Sequence, residues 1–350
     1  MKNMKIGDFI INEDSSVLIV AELSANHNGS LKTALETIKA AKRAGADAIK
    51  LQTYTADTMT IDSDKEDFTI KGTIWEGKNL YALYQEAYTP WEWHDKLFAT
   101  AAEEGLICFS SPFDKTAVDF LEDLNVPAYK VASFEITDLA LIEYIASKGK
   151  PIILSTGIAG AEDIELALEA CRKMGNDDIA LLKCISSYPA PIEEANISMV
   201  KDFKERFGVI PGLSDHTMGS TAPIVATVMG AKIIEKHFIL NRSIGGPDAS
   251  FSMDEQSFTE MVKAVREAEK AIGTVNYTLT EKQLKGRDFS RSLYVVKDIK
   301  AGDVITEDHV RSIRPGFGMH PKFYDQVIGK RAVRDLLKGE PLQENLFTGN

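Results

Sequence analysis

Eight near-continuously apolar runs, spaced along residues 16–273, constrain this 350-residue chain more than any other feature. They are Val17–Leu23, Ala48–Thr53, Ile107–Phe113, Ala128–Ser133, Pro151–Thr156, Ile179–Ser186, Val209–His216 and Lys232–Phe238. Runs of this length without polar alternation are what parallel strands carry when both faces are covered. Helix signals fall between them. Ser30 precedes an apolar stripe of Leu31, Ala34, Leu35, Ile38 and Ala41, and Gly45 follows it. Thr89-Pro90-Trp91-Glu92 reads as a capping box with proline at the first helical position. Thr137 opens a stripe closed by Gly149, and Asp254 opens a longer one through Phe258, Met261, Val265 and Ile272, closed by Gly273. Strand then helix, eight times over, predicts an α/β fold: a (β/α)8 TIM barrel over residues 1–273. A doubly wound sheet would show fewer strands, and no GxGxxG follows the first run.

After Gly273 the pattern changes. The polar stretch 274–287 reads as a linker, and 288–350 as a small β-rich module of short strands and turns. Two segments in that module, Asp298–Ile305 and Asp335–Leu342, are near-repeats, each an apolar segment meeting a glycine turn. The connection from Asp57 to Tyr88, with Trp75, Tyr81 and Tyr84, is too long for a simple link and reads as a functional loop, a lid or a cover over the barrel mouth.

A net charge of −12 argues against a nucleic-acid partner, because phosphate backbones select basic faces. No apolar run approaches the roughly 20 residues that span a bilayer, so no membrane partner is expected. The N-terminal residues are too polar for a secretory signal. Cys108, Cys171 and Cys184 lack CxxC spacing and read as reduced, buried thiols of a cytoplasmic protein.

Active sites of such barrels form at the C-terminal strand ends. All eight ends are polar here: Glu22, Ser24, Asn26 and His27; Lys50, Gln52 and Thr53; Ser110 and Ser111; Lys130, Ser133 and Glu135; Ser155 and Thr156; Ser186, Ser187 and Tyr188; Ser214, Asp215 and His216; Glu235, Lys236 and His237. Hydroxyls and lysines are what a phosphate and a carboxylate need, and phosphoenolpyruvate carries both. His216 and His237 end adjacent strands, and two imidazoles suit a divalent transition metal with positions left for water or a substrate carbonyl. His94 reads as packing, and His309 and His320 as surface residues.

Several of these residues sit in motifs that resemble the N-acetylneuraminate synthase family: Ala21-Glu-Leu-Ser-Ala-Asn-His-Asn-Gly29, Lys50-Leu-Gln-Thr53, Phe109-Ser-Ser-Pro-Phe113, Tyr129-Lys-Val-Ala-Ser133, Gly212-Leu-Ser-Asp-His216, Glu235-Lys-His237 and Gly246-Pro-Asp248. The resemblance covers nearly the whole chain and keeps the motif order. The tail, with Arg314-Pro-Gly-Phe-Gly318, resembles the antifreeze-like (SAF) domain of these synthases. Within the family, Gly72–Tyr81 and Ala87–His94 resemble the branch that condenses phosphoenolpyruvate with 2,4-diacetamido-2,4,6-trideoxy-L-altrose to give pseudaminic acid. The other branches run the same chemistry on the sialic and legionaminic acid precursors.

The resemblance implies a role for each matching position. His216 and His237 would bind Mn²⁺, or Mg²⁺ or Co²⁺ in its place. Lys50, Ser111, Lys130, Ser133, Ser155, Ser186 and Ser214 would hold phosphoenolpyruvate. The sialic branch tends to carry Thr where Ser111 stands and Asn where Ser186 stands. Glu22 would be the acid/base or water-orienting carboxylate, and Gln52, Tyr188 and Asp248 would line the amino-sugar side. Arg314 would reach over a partner subunit's barrel in a domain-swapped homodimer. Two readings outside the family compete. A metal-dependent barrel hydrolase would want an HxH pair on strand 1, where this chain has a lone His27. A non-catalytic carbohydrate- or ice-binding protein would leave eight polar strand ends unexplained.

Overall fold

The computed structural model describes residues 3–348. Two short strands, β1 (Met4–Ile6) and β2 (Phe9–Ile11), come first. Each apolar run then becomes a strand: β3 (Leu18–Glu22), β4 (Ala48–Thr53), β5 (Ile107–Pro112), β6 (Tyr129–Val131), β7 (Ile152–Ser155), β8 (Ile179–Cys184), β9 (Ile210–Asp215) and β10 (Ile233–His237). These eight close into one barrel in sequence order, β10 pairing back onto β3, and every pair is parallel. The helices of this unit are α1 (Leu31–Arg43), α2 (Ala56–Met59), α3 (Leu80–Ala87), α4 (His94–Glu103), α5 (Lys115–Asp123), α6 (Leu139–Ala146), α7 (Ala161–Lys173), α8 (Ser198–Asp202), α9 (Thr221–Val228) and α10 (Glu255–Ile272).

Alternation along each strand sorts the side chains into two cores. Val20, Ala48, Phe109, Ala128, Ile153, Leu182, Ile210 and Ile233 pack inside the barrel. The intervening residues, such as Ile19, Ile49 and Ile234 in one cluster and Val131, Leu154 and Leu181 in another, pack under the helices. The antiparallel β1–β2 hairpin has no counterpart in the sequence reading. It delivers Met4, Ile6 and Ile11 into the interior cluster, giving the barrel core an apolar plug from outside the barrel strands.

Helix starts follow local chemistry, with one correction. Ser30 caps α1 by accepting from the Thr33 amide, and Asp254 caps α10 by accepting from Ser257. The capping box expected at Thr89 does not form: the helix opens as a 3-10 turn at Trp91–Trp93 with no side-chain cap. The Thr89 hydroxyl instead lies 3.4 Å from His27 Nε2, fully buried, so a tertiary contact has outcompeted the local one.

The chain divides into two units after Gly273. The stretch read as a linker contains a helix of its own, α11 (Glu281–Gly286), with a capping box between Thr280 and Gln283. The C-terminal unit holds the antiparallel pair β11 (Ser292–Val295) and β12 (Val310–Ile313) over a small core including Leu293, Ile299, Ile305 and Leu336. The near-repeats of the sequence interlock. Ile299 and Leu336 exchange both backbone hydrogen bonds, the Asp335 carboxylate accepts from the Ala301 amide, and the Asp298 carboxylate accepts from the Lys338 amide. Each aspartate thus caps the glycine turn of the other repeat.

Candidate active site

Strand parity decides which polar strand ends meet. Glu22, Lys50, Gln52, Ser111, Lys130, Ser155, Ser214, His216, Glu235 and His237 share the phase of the interior core residues and point into the barrel. Asp215 and Lys236 have the opposite phase. They form a buried ion pair with each other outside the barrel, Lys236 also donating to the Thr217 carbonyl at 2.6 Å. Thr53 and Ser110 also point outward, 2.6 Å apart, with His94 Nε2 2.9 Å from Thr53. His94 is packing, as its setting between aromatic residues implies.

The inward groups form one charged centre. Lys50 Nζ lies 2.6 Å from Glu22 Oε2 and 3.5 Å from Glu235 Oε1. Gln52 donates to Glu22 Oε1 at 3.0 Å, and the Ser214 hydroxyl donates to Glu235 at 2.9 Å. Burial drives the Glu22 carboxyl up to about 7, against the pull of Lys50, so it can hold or release a proton near neutrality. Burial also presses Lys50 down, but the two carboxylates outweigh it and hold the ammonium charged.

Lys130 differs. Its Nζ donates to the Val131 carbonyl at 2.9 Å and forms no ion pair among the described residues. It is 1% exposed, and burial lowers its pKa. The hydroxyls of Ser111 and Ser155 are buried with no hydrogen-bond partner. Ser186 donates to Ser133 at 2.8 Å, and beside this pair the backbone narrows at Gly157. A Cβ there would lie 2.3 Å from the Ser186 hydroxyl and 2.4 Å from that of Ser133. An under-paired buried cation, orphaned hydroxyls and a bare glycine together have the chemistry of an anion-binding nest. Gly157→Ala is expected to raise the KM for the bound anion at least about tenfold, because the added methyl overpacks the nest. Substrate-saturation kinetics check it, and an unchanged KM counts against the assignment.

Above the nest the rim opens into a cavity of about 430 Å³. His237 ends β10 and His216 directly follows the neighbouring β9, ring centroids 5.2 Å apart. The Ile185 carbonyl, 2.8 Å from His216 Nδ1, can only accept, so this nitrogen carries a proton and Nε2 is the ring nitrogen that a neutral His216 would offer to an ion. His237 Nδ1 is buried with no hydrogen-bond partner among the described residues, and burial with the neighbouring His216 holds the ring well below the ordinary imidazole range. Among the described residues no group of three or more His, Cys, Asp or Glu could hold an ion. Two imidazoles are the donors these neighbouring strand ends offer, and such a pair would suit a divalent ion that fills its shell with water and substrate oxygens. Cys184, inward on β8 and 3.8 Å from His216 Nδ1, borders this site although its sequence context reads only as core. All three cysteines are free and buried.

Ser24, Gln52, Tyr188 and Asp248 line the cavity. Asp248 accepts from the Ser24 hydroxyl at 2.6 Å and lies 3.9 Å from His237 Nδ1. The Tyr188 ring lies 4.4 Å from that of His216. Glu135, a strand-end residue given no role by the sequence, also lines it. One of its oxygens is buried without a partner, and burial raises its carboxyl to about 7. With a folded-state value above the ordinary 4.5, this group makes the fold less stable as pH rises from about 4.5 to 7. Glu135→Gln is therefore expected to stabilise the protein at pH 8, by on the order of 3 kcal/mol, and hardly at pH 4.5. Denaturant titrations at the two pH values check it. Arg314 lies in the C-terminal unit, exposed, directly after β12.

A closed parallel barrel with an anion nest and paired imidazoles at its C-terminal rim defines a TIM-barrel enzyme acting on a small anionic substrate. Residues 37–277 match the NeuB family and residues 290–348 match the SAF domain, so the chain belongs to the NeuB family. It is 51% identical over 344 residues to a pseudaminic acid synthase of Campylobacter jejuni subsp. jejuni serotype O:23/36 (strain 81-176), covering 98% of this chain and 100% of that one. It is also 51% identical over 325 residues to a pseudaminic acid synthase of Helicobacter pylori (strain ATCC 700392 / 26695), covering 93% and 96%. Among solved structures, an N-acetylneuraminic acid synthetase of Leptospira borgpetersenii in complex with citrate matches with a TM-score of 0.73 and 28% identity, over 81% of this chain and 95% of that one.

Proposed function

We propose that this chain condenses phosphoenolpyruvate with 2,4-diacetamido-2,4,6-trideoxy-L-altrose, giving pseudaminic acid and phosphate by C–O cleavage. The observation that carries the reading is the nest of Lys130, Ser111 and Ser155, a buried cation and two orphaned hydroxyls directly inside the rim that bears His216 and His237. The relatives at 51% identity support the choice of sugar.

The residues divide the work. Lys50, Lys130 and the hydroxyls of Ser111, Ser133, Ser155, Ser186 and Ser214 hold the phosphate and carboxylate, fixing carbon 3 toward the cavity. Their charges and dipoles are set before reaction, which is where electrostatic stabilisation is largest. Gln52, Tyr188 and Asp248 orient the sugar so that its aldehyde carbon meets carbon 3. Holding both reactants at one rim removes most of the entropic cost of bringing them together. His216 and His237 would hold a divalent ion, Mn²⁺ or else Mg²⁺ or Co²⁺, which would supply Lewis-acid polarisation of the aldehyde oxygen. Glu22, near its midpoint at neutral pH and steadied by Gln52, takes the proton from the water that adds at carbon 2. The acidic charge balance, the free thiols and the lack among described residues of any helix able to cross a membrane accord with a cytoplasmic enzyme.

Purified protein offered phosphoenolpyruvate with each candidate sugar, phosphate release being measured, tests the reading. Turnover of N-acetylmannosamine or the legionaminic precursor in place of the altrose sugar would overturn it. The proposal extends to a homodimer in which Arg314 of one subunit completes the other's sugar site. Arg314→Ala is then expected to raise the sugar KM about tenfold or more while moving that for phosphoenolpyruvate little, as loss of one charge-assisted hydrogen bond would. An unchanged sugar KM would contradict the shared site.

A further inference from the structure

The cavity at the barrel mouth has two unlike sides. One carries the polar groups Ser24, Gln52, Glu135, Tyr188 and Asp248. The other comes mainly from the 57–88 connection and is mostly apolar: Met59 at the end of α2, Ile70, and Leu80 and Leu83 on α3, with Tyr54 and Phe113 beside them; Thr73, Tyr54 and Tyr84 bring its hydroxyls. This side is packed, not loose. Tyr54 sits edge-to-face against both Tyr84 and Phe113, centroids 5.8 and 5.2 Å away. Ile70 exchanges backbone hydrogen bonds with Lys78 and Gly77, and the Trp75 indole between them donates to the Pro247 carbonyl at 3.1 Å, next to Asp248.

An ordinary hexose places a hydroxyl on almost every carbon, and each needs a partner once water is excluded. The side chains of Met59, Ile70, Leu80 and Leu83 supply none. We propose that this wall determines acceptor specificity: it receives the methyl-terminated groups of the sugar, a deoxy terminal carbon and an N-acyl methyl, and rejects an acceptor whose terminal carbon carries a hydroxyl. The inference rests on the condensation proposed above and adds to it the part of the fold that selects the sugar. The 57–88 connection is thus a selecting wall as well as a cover.

The test measures phosphate release from phosphoenolpyruvate with two acceptors, the 2,4-diacetamido-2,4,6-trideoxy sugar and its 6-hydroxy counterpart. It uses the wild type, Leu83→Gln and Met59→Gln, each checked by its melting temperature. The wild type is expected to favour the deoxy sugar by about ten- to a hundredfold in kcat/KM, the range over which an apolar pocket discriminates against an added hydroxyl. Each folded variant is expected to narrow that ratio at least about threefold by offering the hydroxyl an amide partner. Leu83 is buried and its replacement can cost folding, whereas Met59 is half-buried and glutamine nearly matches its shape, so Met59→Gln decides the matter. Equal use of both sugars by the wild type, or a ratio unmoved in Met59→Gln, would overturn the selecting wall alone. No phosphate release with either sugar would remove the proposed condensation and the wall with it.

Discussion

Replacing either His216 or His237 by alanine is expected to lower kcat/KM by about a thousandfold or more, because an ion polarising a carbonyl contributes several kcal/mol to the transition state. The protein should remain folded. His237 Nδ1 has no hydrogen-bond partner to lose, and the loss at His216 is the bond to the Ile185 carbonyl, costing about 1–3 kcal/mol, together with the weaker 3.8 Å contact to Cys184 Sγ. The two effects are separable by measuring turnover and melting temperature on the same samples. Binding of the divalent ion, followed by calorimetry in the absence of substrates, should fall in parallel. Near-normal turnover in either variant would remove the ion from the account.

Lys130→Met should give the second large effect, with activity and stability moving in opposite directions. Lys130 is buried, without an ion pair, and its charged form is disfavoured by desolvation. Its lowered folded-state pKa means that the buried ammonium destabilises the fold at pH values below that pKa. Methionine keeps the apolar stem and removes the charge, so unfolding free energy should rise by about 1 kcal/mol. Turnover should fall at least about a hundredfold, since a preorganised charge facing the anion is lost. Lys50→Met is the contrasting variant. Lys50 lies between Glu22 and Glu235, and removing it leaves two buried carboxylates without their counter-charge, a change that typically costs about 3–5 kcal/mol. A matched pair in which one lysine is dispensable to the fold and the other is not would locate the anion site at Lys130. Loss of stability in Lys130→Met would contradict it.

The barrel was legible because covered parallel strands need unbroken apolar runs, and all eight runs supply one. The candidate site was legible only in its orientation, to the extent that inward parity can be counted. Lys50, Lys130, Ser155 and the two histidines take the phase of the interior residues Ala48, Ala128, Ile153, Ile210 and Ile233 on their own strands. What stayed hidden depends on partners far apart in sequence. Thr89 satisfies every local rule for a cap, yet it faces His27 across the chain. Glu135 gained its place from burial and from the cavity it borders, neither of which a strand-end position reveals. The β1–β2 hairpin is three residues either side of Gly7-Asp8, too short for periodicity to single out, and only the barrel interior gives it a role. In the C-terminal unit the repeat was visible in sequence, but the reciprocal capping by Asp298 and Asp335 was not.

A crystal structure determined with phosphoenolpyruvate and Mn²⁺ both present tests the central claim most directly. The account predicts the phosphate and carboxylate in hydrogen-bond contact with Lys50, Lys130 and the hydroxyls of Ser111 and Ser155, and the ion on His216 and His237. An ion elsewhere, or phosphoenolpyruvate bound outside the barrel mouth while Lys130 stays unpaired, would contradict it.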